Sequence, residues 1–394
     1  MKYNFDAVNN RLGTYCTQWD YIEDRFHKKD LIPFSISDTD FIIPKPITNK
    51  IKEVADREIY GYTRWNHHDF KSSITNYYNR IFNTDLKEDW ILYSPSVMYS
   101  VSLLIRLLSK ENDKVLAFNP MYDAFFNVIL ENGRQLVSNN LVIEEDGSFT
   151  IDFDVFEEQI KECAILLLCA PHNPTGRIWS DEEMMKMITL CKKYGVAIIS
   201  DEIHMDIHLR ERKHIPLLKY IDCYDRLYTC SSSSKTLNTP GLIGSYVAIP
   251  DETIRDLFLT QTRRKDFLNS ASIFGMYATM IGYTECDDYV EQLNAYIRNN
   301  MQYVENFIKK ELPDFRFRMP EGTYLAWIDA RKVPFTSDEI QDALVNVGGI
   351  AIMKGETYGE NGTKYLRMNL GCPLSKIEEG CKRMKKAMDA LYQK

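Results

Sequence analysis

Short apolar runs that end on chemically active residues recur through the middle of the chain. They constrain its fold more than any other feature. Residues 164–169, Ala-Ile-Leu-Leu-Leu-Cys, contain no charged or strongly polar side chain and are closed by Pro171. Residues 196–200 form a second run, followed directly by Asp201, and residues 227–230 form a third. Unbroken apolar runs of this length fit strands buried on both faces. Between the first two, Ser180-x-x-Glu183 is a capping box that opens a helix, and Gly195 ends it. Strands at 90–93, 114–118 and 246–249, and an apolar helix over 97–109 with Ser96 as its N-cap, continue the alternation. The class this predicts is α/β: a largely parallel sheet between helices.

The flanking sequence follows other patterns. Residues 31–41 read as a short strand running into a polar turn. Residues 47–59 and 70–82 have helical spacing and bracket an aromatic-rich loop, Tyr60-Gly-Tyr-Thr-Arg-Trp65. After about residue 270 a long helix is expected over 289–312, strands over 323–328, 350–353 and 365–370, and helices over 337–347 and 375–391. The last of these is opened by Ser375-x-x-Glu378. The expected organisation is an N-terminal arm (1–45) packed with a small α+β domain (286–394), and a large domain (46–285). With 394 residues, 44% hydrophobic, large cores can be buried. A net charge of −8 argues against nucleic acid or an anionic membrane surface as partner. The longest apolar run, 164–170, is too short to span a bilayer, and the first residues lack the apolar core of a signal peptide. Nine scattered cysteines without a Cys-x-x-Cys pair suggest reduced, mostly buried thiols and a cytoplasmic location.

Parallel sheets bind ligands at the carboxyl ends of their strands. The residues there are Ser96, Tyr122, Asn173, Asp201 and the run Ser231-Ser-Ser-Ser-Lys235. A lysine amine can form a Schiff base with an aldehyde, and neighbouring hydroxyls and amides can hold a phosphate. Pyridoxal 5'-phosphate (PLP) needs both. It also needs a carboxylate to keep its pyridine nitrogen protonated, for which Asp201 is the candidate, although an aspartate there also suits a turn. Asn173 could donate to the phenolic oxygen, although Asn-Pro-Thr-Gly is also an ordinary turn sequence. Tyr122 could stack on the ring. The helix start at Ser96, Val97 and Met98, with the hydroxyls of Ser232 and Ser234, could take the phosphate. Arg367 could grip a substrate α-carboxylate through both arms of its guanidinium, or be a surface charge at a strand edge.

Asn173-Pro-Thr-Gly176, Asp201-Glu-Ile-His204, Ser232-Ser-Ser-Lys235 and Arg367, in this order, resemble the fold-type-I PLP enzymes of the aminotransferase superfamily. Further motifs narrow the likeness: Cys16-Thr-Gln-Trp-Asp-Tyr21, Ser35-Ile-Ser-Asp-Thr-Asp-Phe41, Gly61-Tyr-Thr-Arg-Trp65, Asp201-Glu-Ile-His-Met-Asp206 and Asn369-Leu-Gly-Cys-Pro373. With these the chain resembles, over nearly its whole length, the MalY/PatB-type cystathionine β-lyases. The resemblance implies a large domain with a mixed, mostly parallel sheet and a smaller α+β domain. It implies that Lys235 carries the internal aldimine, that Asp201, Asn173, Tyr122 and His204 surround the ring, and that Arg367, Ser37 and Tyr324 meet the substrate. It also implies a homodimer in which Tyr62 reaches the phosphate of the neighbouring subunit's cofactor. Two positions depart from the wider superfamily. Ile243 stands where many aminotransferases place an arginine, and His204 where a tyrosine is common; both agree with the lyase subgroup.

The activity this implies is β-elimination from cystathionine or another cysteine S-conjugate, giving a thiol, pyruvate and ammonia, with Lys235 also acting as base at Cα. An aminotransferase is the nearest alternative, because it uses the same carbanion. A regulatory protein-binding role, alone or added to catalysis, is a second. His204, His208 and Glu202 invite a zinc reading, but no third ligand has a recognisable spacing, so no metal is expected. The aromatic and apolar segments that include Tyr60, Trp65 and Tyr324 favour bulky or hydrophobic S-substituents.

Overall fold

The computed structural model describes residues 2–393. In chain order the elements are α1 (Ile22–Phe26), β1 (Ile32–Pro33), α2 (Lys45–Ala55), α3 (His68–Phe82), β2 (Ile91–Ser94), α4 (Val97–Leu108), β3 (Lys114–Asn119), α5 (Asp123–Leu130), β4 (Gln135–Asn140), β5 (Val142–Ile143), β6 (Phe149–Thr150), α6 (Phe153–Ile160), β7 (Ile165–Cys169), α7 (Asp181–Tyr194), β8 (Ala197–Asp201), β9 (Leu227–Ser231), α8 (Ser234–Leu237), β10 (Ser245–Ala248), α9 (Glu252–Leu259), α10 (Ile273–Glu285), α11 (Asp287–Glu311), β11 (Leu325–Asp329), α12 (Ser337–Ala343), β12 (Ile350–Ala351), β13 (Met353–Lys354), β14 (Tyr365–Asn369) and α13 (Leu374–Tyr392).

The central sheet has seven strands in the order β2-β10-β9-β8-β7-β3-β4. All neighbours are parallel except β10, which runs antiparallel to β2 and to β9. β7, β8 and β9 are buried along their whole length, as their apolar runs require. Each fully buried Leu or Ile among them contributes roughly 1.5–3 kcal/mol. α7 carries the expected capping box at Ser180 and Glu183 and ends on Gly195 in the left-handed region. The register sets Asp201 beside Cys169 and Cys230, so three strand ends lie side by side.

A second hydrophobic cluster joins Phe5, Phe34 and Phe41 of the N-terminal segment to residues of α11, α12, α13 and the antiparallel sheet β11-β14-β13. β1 adds to this side by pairing with β12 in parallel.

Several expectations are corrected. The strand expected over 350–353 is two strands, β12 and β13, which pair with different partners. The helix expected over 337–347 is α-helical only to Ala343 and continues as a π turn over Leu344–Gly348. Ser375 caps nothing: α13 begins at Leu374 after Pro373, which puts Ser375 inside the first turn. α2 stops at Ala55, short of 59, because Glu58 adopts φ 53°. α5, β4 and α6, between residues 118 and 164, were not expected; β4 is a largely solvent-facing edge strand without an apolar run. No helix is long and apolar enough to cross a membrane among the described residues. None of the nine cysteines is in a disulfide; eight are buried and Cys223 is half-buried.

Candidate active site

Asp201 ends β8 and is 4% exposed. Its Oδ1 accepts from the Ile203 amide at 3.1 Å. Its other oxygen receives no hydrogen bond, and no ion pair reaches the carboxylate among the described residues. Burial pushes its carboxyl up to about 7, against the opposing pull of Lys235. A buried carboxylate without a cation is costly and points to a partner outside the chain.

Lys235 lies in α8, a single turn reached directly from β9. Its Nζ donates to the Ser37 carbonyl at 2.7 Å and makes no ion pair among the described residues. Burial pushes this amine below its ordinary value; Asp38 and Asp201 oppose that push and Arg367 adds to it. The Tyr324 hydroxyl donates to the same Ser37 carbonyl at 2.9 Å. One backbone oxygen of the N-terminal segment is therefore shared by the lysine and by the start of β11.

Arg367 sits in β14, cross-strand from Trp327 and Met353, and is 3% exposed. It donates through Nη2 to the Ser35 carbonyl at 2.7 Å and through Nη1 to Asn173 Oδ1 at 3.2 Å. Its Nε has no partner among the described residues, and the guanidinium lies over the Tyr358 ring at 4.5 Å. No carboxylate pairs with it among the described residues. Asn173 thus turns its carbonyl to Arg367, which leaves its amide group free to donate elsewhere. Asn369 holds the same N-terminal segment by donating to the carbonyls of Ile36 (2.5 Å) and Asp38 (2.6 Å).

Around this core the structure places most of the other expected residues. Tyr122 is half-buried before α5 and close enough to Asp201 and Arg367 to feel their charges; burial above all pushes its hydroxyl up to about 12. Ser96 caps α4 by accepting from the Tyr99 amide at 3.1 Å, so the amides of Val97 and Met98 stand in the first turn, where no helix carbonyl reaches them. Ser232 donates to the Gly244 carbonyl at 2.6 Å and lies 3.0 Å from Ser234 Oγ, so this hydroxyl already serves the protein. A chain of contacts through Ser245 and Ser94 links that loop to Ser96. His204 is 3% exposed and edge-on to the Tyr324 ring at 5.5 Å. Its Nδ1 has no partner among the described residues, and burial, then Lys235 and Arg367, push it down to about 3, so it is neutral. Tyr62 does not join this cluster in its own chain; it is wholly exposed in the loop between α2 and α3.

Tyr358 and the carbonyls of Ser35 and Ile36 belong to the cluster but were not singled out in the sequence. Tyr358 ends a short 3-10 turn after β13, with nothing local to mark it, and backbone acceptors leave no trace in side-chain pattern. No group of three or more His, Cys, Asp or Glu side chains is placed to hold a metal among the described residues. A cavity of about 1020 Å³, lined by Arg177, Arg212, Arg316 and Trp327 among others, touches none of the cluster residues.

The unmatched groups fit PLP: an acid for a pyridinium nitrogen, an amide donor for a phenolic oxygen, a lysine amine for an aldehyde and a helix start for a phosphate. Residues 29–384 match the profile of the family described as aminotransferase class I and II. The chain belongs to that family. Within the aminotransferase family it is similar to the protein MalY of Escherichia coli, with 37% identity over 96% of this chain and 97% of the relative. It is 33% identical to the cystathionine beta-lyase PatB of Bacillus subtilis, over 98% of this chain and 100% of the relative. The PLP-bound C–S lyase of Staphylococcus hominis superposes with a TM-score of 0.91 at 26% identity, over 98% of each chain. The fold is the fold-type-I architecture of this family.

Proposed function

We propose that this chain is a PLP-dependent carbon–sulfur β-lyase that converts a cysteine thioether, such as cystathionine, to a thiol, pyruvate and ammonia. The carrying observation is that Lys235, Asp201, Asn173 and Arg367 converge in a chain that matches a cystathionine beta-lyase along 98% of its length. PLP, when bound, supplies the electron sink that makes the substrate Cα proton removable. The chain's own residues do the rest. Asp201 would hold a proton on the ring nitrogen. Asn173 would donate from its amide to the phenolic oxygen, and Tyr122 and His204 would border the ring. The amides of Val97 and Met98 and the hydroxyl of Ser234 would receive the phosphate, while Ser232, whose proton goes to the Gly244 carbonyl, braces Ser234 by accepting from its amide at 3.1 Å. Arg367 takes the α-carboxylate, while Ser37 and Tyr324 border the substrate. Lys235 has its amine pushed toward the neutral form, and a neutral amine is the form that can accept the Cα proton. The division into an arm with small domain (1–45 and 286–394) and a large domain (46–285) places the substrate grip on one side and the ring pocket on the other.

The active form is a cytoplasmic homodimer. Tyr62 is fully exposed on a loop whose neighbours Ile59 and Tyr60 are also exposed, an apolar surface of the kind that a second copy covers. The aminotransferase alternative uses the same residues and differs in products. Purified enzyme given cystathionine without any keto acid should release pyruvate. Lys235→Ala should lower that rate by at least about 100-fold. Amino-group transfer that requires a keto acid, with no pyruvate formed, would overturn the lyase reading.

A further inference from the structure

We infer that Asp206 is a positioning residue for Lys235. The inference rests on Lys235 as the residue that holds the cofactor. α8 is one turn long, so few backbone bonds fix its orientation. Its side-chain anchors must do so. Thr236, next to Lys235, donates from Oγ1 to Asp206 Oδ2 at 2.8 Å. Tyr77 of α3 donates to the other oxygen, Oδ1, at 2.8 Å. The Asp206 carbonyl accepts from Asn294 Nδ2 of α11 at 2.8 Å, and Asn294 Oδ1 accepts from the His208 amide at 3.0 Å. Asp206 is 3% exposed and has no ion pair among the described residues. A carboxylate offers an acceptor to each of two hydroxyls at once; an amide offers only one. The result is a buried clamp that ties the lysine-bearing turn to two long helices.

Successive side chains on a helix point about 100° apart. Fixing Thr236 therefore fixes the direction in which Lys235 leaves the turn. The Tyr77 ring stacks on Tyr283 with centroids 4.1 Å apart, so the clamp is itself seated in a rigid aromatic layer. A displacement of about 1 Å at a reacting group can lower a rate by about 100-fold. Asp206 touches no reacting atom; it acts through Thr236.

The test compares three variants of the cofactor-loaded enzyme. Thr236→Val removes the bond to Asp206 and keeps the shape. It should shift the pH midpoint of the visible band of the lysine-linked cofactor by at least about half a unit and lower kcat at least about tenfold, with KM within about threefold. Thr236→Ser should restore both. Tyr77→Phe breaks the other bond to Asp206 and should lower Tm and move the band's midpoint in the same direction as Thr236→Val, by less. If Thr236→Val does not accumulate folded, Asp206→Asn carries the same comparison. A Thr236→Val enzyme with wild-type midpoint and kcat, or a Thr236→Ser enzyme that restores neither, would overturn the inference. The absence of any lysine-linked band in the wild type would instead overturn the assignment of Lys235.

Discussion

Asp201 is the residue whose environment most demands a ligand, and the demand has a sign. Its carboxyl titrates near 7 in the fold, against about 3.9 in an unfolded chain. Protonated, it is at ease, so its stability contribution is fully present below about pH 4 and is lost as pH rises through 7. The loss is up to about 4 kcal/mol, taking 1.36 kcal/mol per unit. His204 and His172, both pushed down to about 3, work in the opposite direction: their contribution is present above about pH 6.5 and is lost as pH falls toward 3. The whole-protein slope is therefore a sum, and only a difference isolates the aspartate. Urea unfolding of the cofactor-free protein and of Asp201→Asn, at pH 4.5 and 7.5, should show the variant gaining on the wild type at the higher pH. Arg367 gives a second residue-scale expectation. Arg367→Lys keeps the charge but loses the planar fork, so kcat/KM for cystathionine should fall at least about 100-fold while the lysine-linked cofactor band persists.

At the scale of elements, the stretch from Ser35 to Phe41 has almost no secondary structure, yet it is held from several directions. Asn238, which ends α8 at φ 54°, donates to the carbonyls of Thr39 (2.8 Å) and Phe41 (2.9 Å) and accepts from the Thr39 amide (3.2 Å). Asn238→Ala removes three bonds worth about 1 kcal/mol each and leaves an alanine in the left-handed region, for a loss of about 3–4 kcal/mol in chemical denaturation. Asn238→Gly should recover only about 1 kcal/mol of it, because glycine relieves the backbone but makes no bond. The sequence reveals these two pieces unequally. β7 and β8 are legible because burial on both faces writes an unbroken apolar run. Lys235, Asp201 and Asn173 are legible because strand ends in such a sheet are where ligands bind. The grip on residues 35–41 is not legible, because its acceptors are main-chain carbonyls and its donors lie hundreds of positions away. β4 leaves no such trace because an edge strand need not be apolar, and Ser375 lies inside α13 because the helix starts directly after Pro373. Asp206 was seen only as part of a motif; its two hydroxyl partners come from α3 and α8.

At the scale of the whole molecule, the proposed dimer makes Tyr62 part of a site in the other copy. Co-expressed chains carrying Lys235→Ala and Tyr62→Ala, each weak alone, form mixed dimers with one intact site. Equal amounts should restore about a quarter of the wild-type rate. No restoration in mixed dimers confirmed by mass would mean that Tyr62 does not act across the interface.

The bond from Arg367 to Ser35 joins residues 332 positions apart. During synthesis the lysine, the ring aspartate and the N-terminal segment leave the ribosome long before β14 does. At about 5–20 residues per second, Arg367 and Asn369 arrive well over ten seconds after residues 35–41. Until then that segment is held by Arg11 and, once it emerges, by Asn238, and the proposed substrate grip lacks its arginine. Closure of the proposed substrate grip is therefore an event in the life of the finished chain, after the proposed ring pocket has already left the ribosome.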